Sequence, residues 1–499
     1  MQQIATRVPG LDVVLNGGLE QGSVVIVAGA PGTGKTVLAH QICFAVATPE
    51  HKCVYYSTVS EPHSKLVRHL EQFTFFDAES LGSRVEHIHL GAFLRPGRHD
   101  GLEPLVKEIL RKAEDEEPAI VVIDSAKMLR DFADERELRA ALYDLTGRLP
   151  HTDTVLMLVG EYSPDDFGTG IEFAMADGII QLEYQAREPV DRRWLRIVKM
   201  RGGSQRPGKH TFQINASGIE VFPRIETLIP AEVASVSGRI KSGIPGLDQL
   251  MGGGMKQGDA TLVLGPSGVG KTIFGLRWIS EALEQGERCL YVTFQDSAYQ
   301  LISIAAAFGW DLAAARESGQ LVISHVPMGD LDLDVLASAV RAELAEHQIG
   351  RIVIDSLAEL VFANRESERF PAYKRSLVGL IRAAGSSLLI NSETSTYGLA
   401  TKSLGGLMFL FDNVLELRYI EQEFEVGRAI SIVKMRNSKH AMTLNQYAIG
   451  DLGVSIGDSL QGVTGILGWS ALRAPDEGRD EGTVRSDVGA ARATDPHRT

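Results

Sequence analysis

Two kinds of hydrophobic pattern alternate along this chain. Short unbroken apolar runs, such as residues 24–28, 54–56, 120–123 and 155–159, read as strands buried on both faces. Between them apolar residues recur at helical spacing: Leu38, Ile42 and Ala45, then Leu102, Leu105 and Ile109. Strands alternating with amphipathic helices predict an α/β fold with a mostly parallel sheet. At residues 179–182 the pattern becomes more alternating, which predicts an antiparallel edge. Trp194 and Trp278 fall in core-like patterns.

The pattern then repeats. Val8-Pro9-Gly10-Leu11-Asp12 returns as Ile244-Pro245-Gly246-Leu247-Asp248, and the glycines at 17 and 18 return at 252–254. Ile120-Val121-Val122-Ile123-Asp124-Ser125 returns as Arg351-Ile352-Val353-Ile354-Asp355-Ser356, and Ile197-Val198-Lys199-Met200-Arg201 as Ile432-Val433-Lys434-Met435-Arg436. The period is domain-sized, far beyond the roughly 20–50 residues of a solenoid unit. Residues 1–222 and 239–470 are therefore expected to be two tandem copies of one domain, joined by an extended linker at 223–238. The tail, 471–499, is poor in large apolar residues and is expected to be disordered.

The repeat carries chemistry. Gly29-Ala30-Pro31-Gly32-Thr33-Gly34-Lys35-Thr36 and Gly265-Pro266-Ser267-Gly268-Val269-Gly270-Lys271-Thr272 both read G-x-x-x-x-G-K-T between a strand and a helix. That context makes each a phosphate-binding loop and each half a P-loop NTPase domain. Glycines let backbone N–H groups converge on phosphates, the lysine reaches the β/γ-phosphates, and the threonine hydroxyl coordinates Mg²⁺. Asp124 and Asp355, each ending an apolar strand, are placed to hold the same Mg²⁺ opposite Thr36 and Thr272. The implied ligand is Mg²⁺-ATP. Glu161 and Glu393 end later strands; by their resemblance to the polar residue often found there in RecA-like ATPases, they are candidate sensors of the γ-phosphate.

Together these motifs, each present twice over nearly all of residues 1–470, resemble the KaiC family within the RecA-like ATPases. The resemblance implies two RecA-like domains stacked as hexameric rings, with ATP between neighbouring subunits and a role in signalling or timing. It implies that Lys199, Arg201, Lys434 and Arg436 reach the nucleotide of an adjacent subunit. It also implies a pair of adjacent glutamates after the P-loop helix, the first of which orients water or takes a proton. Aligned on Thr58 and Thr293, that first place holds Ser60 and Gln295, leaving Glu61 and Asp296 as the catalytic candidates. The alternative for Glu61 and Asp296 is capping of the next helix.

The same resemblance implies autophosphorylation of adjacent Ser and Thr just before a late aspartate. Here that aspartate is Asp412, preceded by Met408-Phe409-Leu410-Phe411, with no hydroxyl among them. Phosphoryl transfer to another site or to a partner protein stays open as a second reading, and a recombinase-like DNA-binding ATPase as a third.

Composition narrows these choices. A net charge of −14 disfavours broad binding to nucleic acid. The three cysteines, Cys43, Cys53 and Cys289, are scattered and read as buried thiols in a reducing compartment. No apolar run approaches the ~18 residues of a membrane span, and residues 1–7 lack the basic and apolar regions of a leader. The expected setting is the cytoplasm, as a homo-oligomer with regulatory protein partners.

Overall fold

The computed structural model describes residues 2–57, 63–94, 101–186, 191–228, 237–327, 329, 331–364, 367–394, 408–422, 425–436, 438–461, 463–464 and 472–473. Each half is built on a nine-stranded sheet. In the first, the strands run from edge to edge as Val85–His89, Cys53–Ser57, Ile120–Asp124, Val155–Glu161, Val24–Gly29, Gly178–Gln185, Arg192–Met200, Lys209–Asn215 and Gly218–Phe222. In the second the order is Leu321–His325, Arg288–Thr293, Ile349–Asp355, Ser387–Glu393, Ala260–Gly265, Asn413–Gln422, Glu425–Met435, Leu444–Gly450 and Gly453–Ser459. Position by position the two orders are the same. Six strands pair in parallel in each sheet, and three antiparallel strands extend one side.

The central strands are largely apolar because helices cover both faces of the sheet. Val25 and Val27 pack on one side with Leu38, Ile42 and Cys43 of the helix Lys35–Val46, while Ile26 and Ala28 face Leu105 and Ile109 on the other. All three cysteines are buried and free. Trp278 lies in the second core, whereas Trp194 is half-buried with the Lys209 ammonium 5.3 Å from its ring centre. Among the described residues no helix is long and apolar enough to cross a membrane.

Three expectations change. Gly178–Gln185 is not an edge: it lies parallel to Val24–Gly29 and antiparallel to Arg192–Met200. Its first five residues, Gln181 included, are buried, and exposure begins only beyond Leu182. The segment read as an extended linker begins as a short 3₁₀ turn, Ile225–Thr227, with Ile225 buried in the second domain's core. Leu472–Arg473, in the segment read as a disordered tail, pairs with Val463–Thr464. Charged contacts fix the junction further. Arg369 donates from Nε and Nη2 to the two oxygens of Glu226 (2.6 and 2.8 Å) and from Nη1 to buried Asp334 (2.9 Å). Thr211 of the first domain donates to Asp334 at 3.1 Å.

Candidate nucleotide sites

Each P-loop joins the end of the central strand to the helix behind it. Gly34 and Gly270 stand immediately before those helices at φ +99° and +109°. A Cβ on either would strain that backbone and come within 2.7 Å of Ile214 or 2.6 Å of Ile449. Glycine is therefore required for the loop to close against the antiparallel strands. That curl aims the loop's N–H groups inward and leaves room for a phosphate.

The lysines fold back over the loops they belong to. Lys35 Nζ donates to the Ala30 carbonyl at 2.8 Å, and Lys271 Nζ to those of Gly265 and Pro266, both at 2.9 Å. Burial lowers the pKa of both. For Lys35 this is opposed by Glu161 and Asp124, and for Lys271 by Glu393, Asp355 and Glu359. Polyanionic phosphates in the loop favour the charged ammonium and offset that desolvation.

Behind the lysines the carboxylates are set by hydrogen bonds. Thr36 Oγ1 donates to Asp124 Oδ2 at 2.9 Å, and Thr272 Oγ1 to Asp355 Oδ2 at 2.8 Å. A tyrosine from the neighbouring strand donates to the same oxygen in each case: Tyr55 at 2.6 Å and Tyr291 at 2.9 Å. Burial pushes the Asp355 carboxyl up, and hydrogen bonds from Thr272, Tyr291 and Asn391 pull it back. Among the described residues no group of three or more His, Cys, Asp or Glu side chains is set to hold a metal. One hydroxyl and one carboxylate per site fit Mg²⁺, which keeps several waters and takes its remaining ligands from substrate phosphates.

In the second domain these groups line a cavity of about 250 Å³ that also includes Gln295, Asp296, Glu359 and Glu393. Gln295 Nε2 donates to Glu359 Oε1. Glu393 pairs in register with Gly265, and Glu161 with Gly29, so both reach the level of their P-loops. Glu61 lies outside the described residues, as does Ser60.

The two Lys/Arg pairs lie away from the P-loops of their own domains. Gly29 is level with Leu182 and Leu195, but Val25 is level with Gly178 and Met200. Lys199 and Arg201 therefore sit roughly 13 Å back along the strand direction, at the opposite end of the sheet. There Lys199 Nζ donates to the Phe173 and Ala174 carbonyls at 3.3 Å, and Arg201 pairs with Asp177 at 3.3 Å. Lys434 donates to the Met408 and Phe411 carbonyls at 2.7 Å, and Arg436 to that of Phe409 at 2.9 Å.

Four contributing residues are not marked by the sequence motifs. Tyr55 and Tyr291 look like ordinary strand aromatics, and only the register turns them toward the aspartates. Arg193 donates to the Gly32 carbonyl at 2.9 Å from a strand that carries several arginines and gives no sign which one matters. Glu359 did leave a signal, the Ser356-x-x-Glu359 capping pattern directly after Asp355.

Comparison with known proteins agrees with this geometry. The family model described as "ATPase: KaiC" matches residues 4–226 and again 240–461. The "Circadian clock oscillator protein KaiC" of Picosynechococcus sp. is 27% identical over 96% of this chain and 94% of its own length. Its counterpart in Parathermosynechococcus lividus is 26% identical over 95% and 89%. The "Circadian clock protein KaiC3" of Synechocystis sp. is 26% identical over 95% of both. With two RecA-like domains, two P-loops in matching settings and a family match to each half, this chain belongs to the KaiC family of P-loop ATPases.

Proposed function

We propose that this chain is a slow, regulatory ATPase of the clock-protein type. It binds Mg²⁺-ATP at two sites, each shared between neighbouring subunits of a hexameric double ring, and couples hydrolysis to a change of conformation or assembly. It works in the cytoplasm with protein partners. Gly29–Thr36 and Gly265–Thr272 take the phosphates, Thr36 with Asp124 and Thr272 with Asp355 hold the metal, and Asp296 and Glu61 serve water attack. Bound Mg²⁺ neutralises charge on the β- and γ-phosphates. Lys35 and Lys271 leave their loop carbonyls for phosphate oxygens, and Glu161 and Glu393 register the γ-phosphate from the adjacent strand.

The observation that carries this reading is the twofold recurrence of one arrangement: ammonium on the loop carbonyls and threonine on the aspartate within 0.1 Å of the same distance. The remote position of Lys199, Arg201, Lys434 and Arg436 supports sites shared between subunits, since these cations lie far from the P-loops of their own domains. Phe409, whose carbonyl holds Arg436, is 74% exposed, as suits a residue that a neighbouring subunit covers. The net charge of −14 speaks against the DNA-binding reading.

The test is bound nucleotide per purified chain. Lys35→Ala and Lys271→Ala each remove one charge-assisted phosphate contact and are expected to weaken ATP at their own site by about 10–100-fold. Each variant then carries one nucleotide fewer and the double variant none. Full occupancy of both sites in either single variant would rule the two-site reading out.

A further inference from the structure

The second domain holds a contact that the P-loop chemistry leaves unexplained. Gln295 stands at the place where the KaiC resemblance implies a water-orienting glutamate, and its amide nitrogen donates to Oε1 of Glu359. Glu359 is 7% exposed, and both residues line the 250 Å³ cavity with Lys271 and Asp355. Its second oxygen accepts from the Ser356 amide at 3.2 Å and from the Ser356 hydroxyl at 2.5 Å. The carboxylate is thus clamped between the helix start and the glutamine. Four residues after Asp124, the corresponding place in the first domain holds Met128, so the pair belongs to the second domain alone.

An amide beside an attacking water can present either end. Its NH₂ would donate to the water oxygen and blunt the nucleophile; its carbonyl oxygen accepts a hydrogen bond from the water and leaves the water's lone pair for phosphorus. A carboxylate only accepts, so a glutamine bound to Glu359 must give its NH₂ to it and keep its carbonyl for the water. We infer that Glu359 is a positioning residue for ATP hydrolysis in the second domain, fixing the Gln295 amide with its carbonyl toward the attacking water. Water oxygen bonds to the γ-phosphorus, the bond from that phosphorus to the β-bridging oxygen breaks, ADP leaves, and the water proton departs with inorganic phosphate. Gln295 orients without keeping the proton, which agrees with slow turnover. This inference rests on the proposed function, that the second site hydrolyses ATP.

The experiment uses the full chain with the first site silenced by Lys35→Ala, and reads phosphate release and ATP affinity separately. Glu359→Gln preserves the capping box, which takes Glu or Gln alike, but frees Gln295 to turn over. It is expected to lower kcat about tenfold while leaving ATP affinity within about twofold. Adding Gln295→Glu restores one amide and one carboxylate in contact with the roles exchanged, and is expected to bring kcat back to within about threefold of the parent. Unchanged turnover in Glu359→Gln, loss of ATP affinity instead of turnover, or no recovery in the double variant would each overturn the inference alone. A Lys35→Ala parent that binds ATP and releases no phosphate would overturn the proposed hydrolysis at this site, and the inference with it.

Discussion

A phosphoryl acceptor needs a nucleophilic oxygen, and Met408, Phe409, Leu410 and Phe411 have none in their side chains. The carbonyls of Met408 and Phe411 are in turn occupied by Lys434, and that of Phe409 by Arg436, so this turn serves to hold cations. Where the family resemblance implies a proton-accepting glutamate stands Gln295, whose amide cannot take a proton from a hydroxyl. Two independent parts of a kinase half-reaction are therefore missing beside an intact P-loop. Incubation with γ-labelled ATP is expected to release labelled phosphate and leave no stoichiometric label between residues 391 and 412. Phosphopeptide mapping checks this, and a fully labelled peptide from that stretch would contradict it.

At the scale of elements, the strand Lys209–Asn215 carries a group that couples packing to pH. His210 is fully buried, accepts the Arg224 N–H on Nδ1 at 2.9 Å, and lies 3.2 Å from the Arg206 carbonyl through Nε2. Burial, aided by the charges of Arg224, Arg369 and Arg206, pushes its pKa down to about 4. In the unfolded chain it returns to about 6.5. Between these values the unfolded chain binds a proton that the folded one refuses, so stability is full above pH 6.5 and falls as the pH drops toward 4. The loss amounts to about 3 kcal/mol for this one group. In His210→Asn the decline of unfolding free energy over that window is expected to be shallower by about one proton, read from denaturant titrations at several pH values. An unchanged slope would mean that His210 takes up its proton without unfolding.

His210 also marks how far the sequence could be read. The parallel core was legible because burial on both faces leaves mostly apolar residues, and the P-loops because their glycines answer to backbone geometry at φ +99° and +109°. The interior position of Gly178–Gln185 was hidden because Gln181 is buried and the strand's last three residues are polar or exposed, so the run looks alternating. Tyr55 and Tyr291 were illegible for a related reason: one strand's register against the next decides whether a phenol meets an aspartate, and register leaves no local mark. The pairing of Glu226 with Arg369 joins residues 143 apart, which no window of sequence displays.

At the scale of the whole molecule, the decisive geometry is that each domain carries its phosphate loop at one end of the sheet and its Lys/Arg pair at the other. On the proposed function, a single chain offers each nucleotide half of a site. The exposed Val433, next to Lys434, and Phe409, whose carbonyl holds Arg436, would face the neighbour that completes it. On this reading, Lys271→Ala and Arg436→Ala damage opposite halves of the second-domain site. Each homogeneous assembly lacks one half at every interface, but a mixed assembly contains interfaces where an intact loop from one chain meets an intact arginine from the other. With first-domain hydrolysis silenced by Lys35→Ala in both chains, an equal mixture is expected to recover up to about a quarter of parental phosphate release, because random pairing joins two intact halves that often. Subunit exchange is verified first by energy transfer between labelled chains. Exchange without recovery would mean that Arg436 acts within its own subunit or not at all, and the shared-site architecture would fall with it.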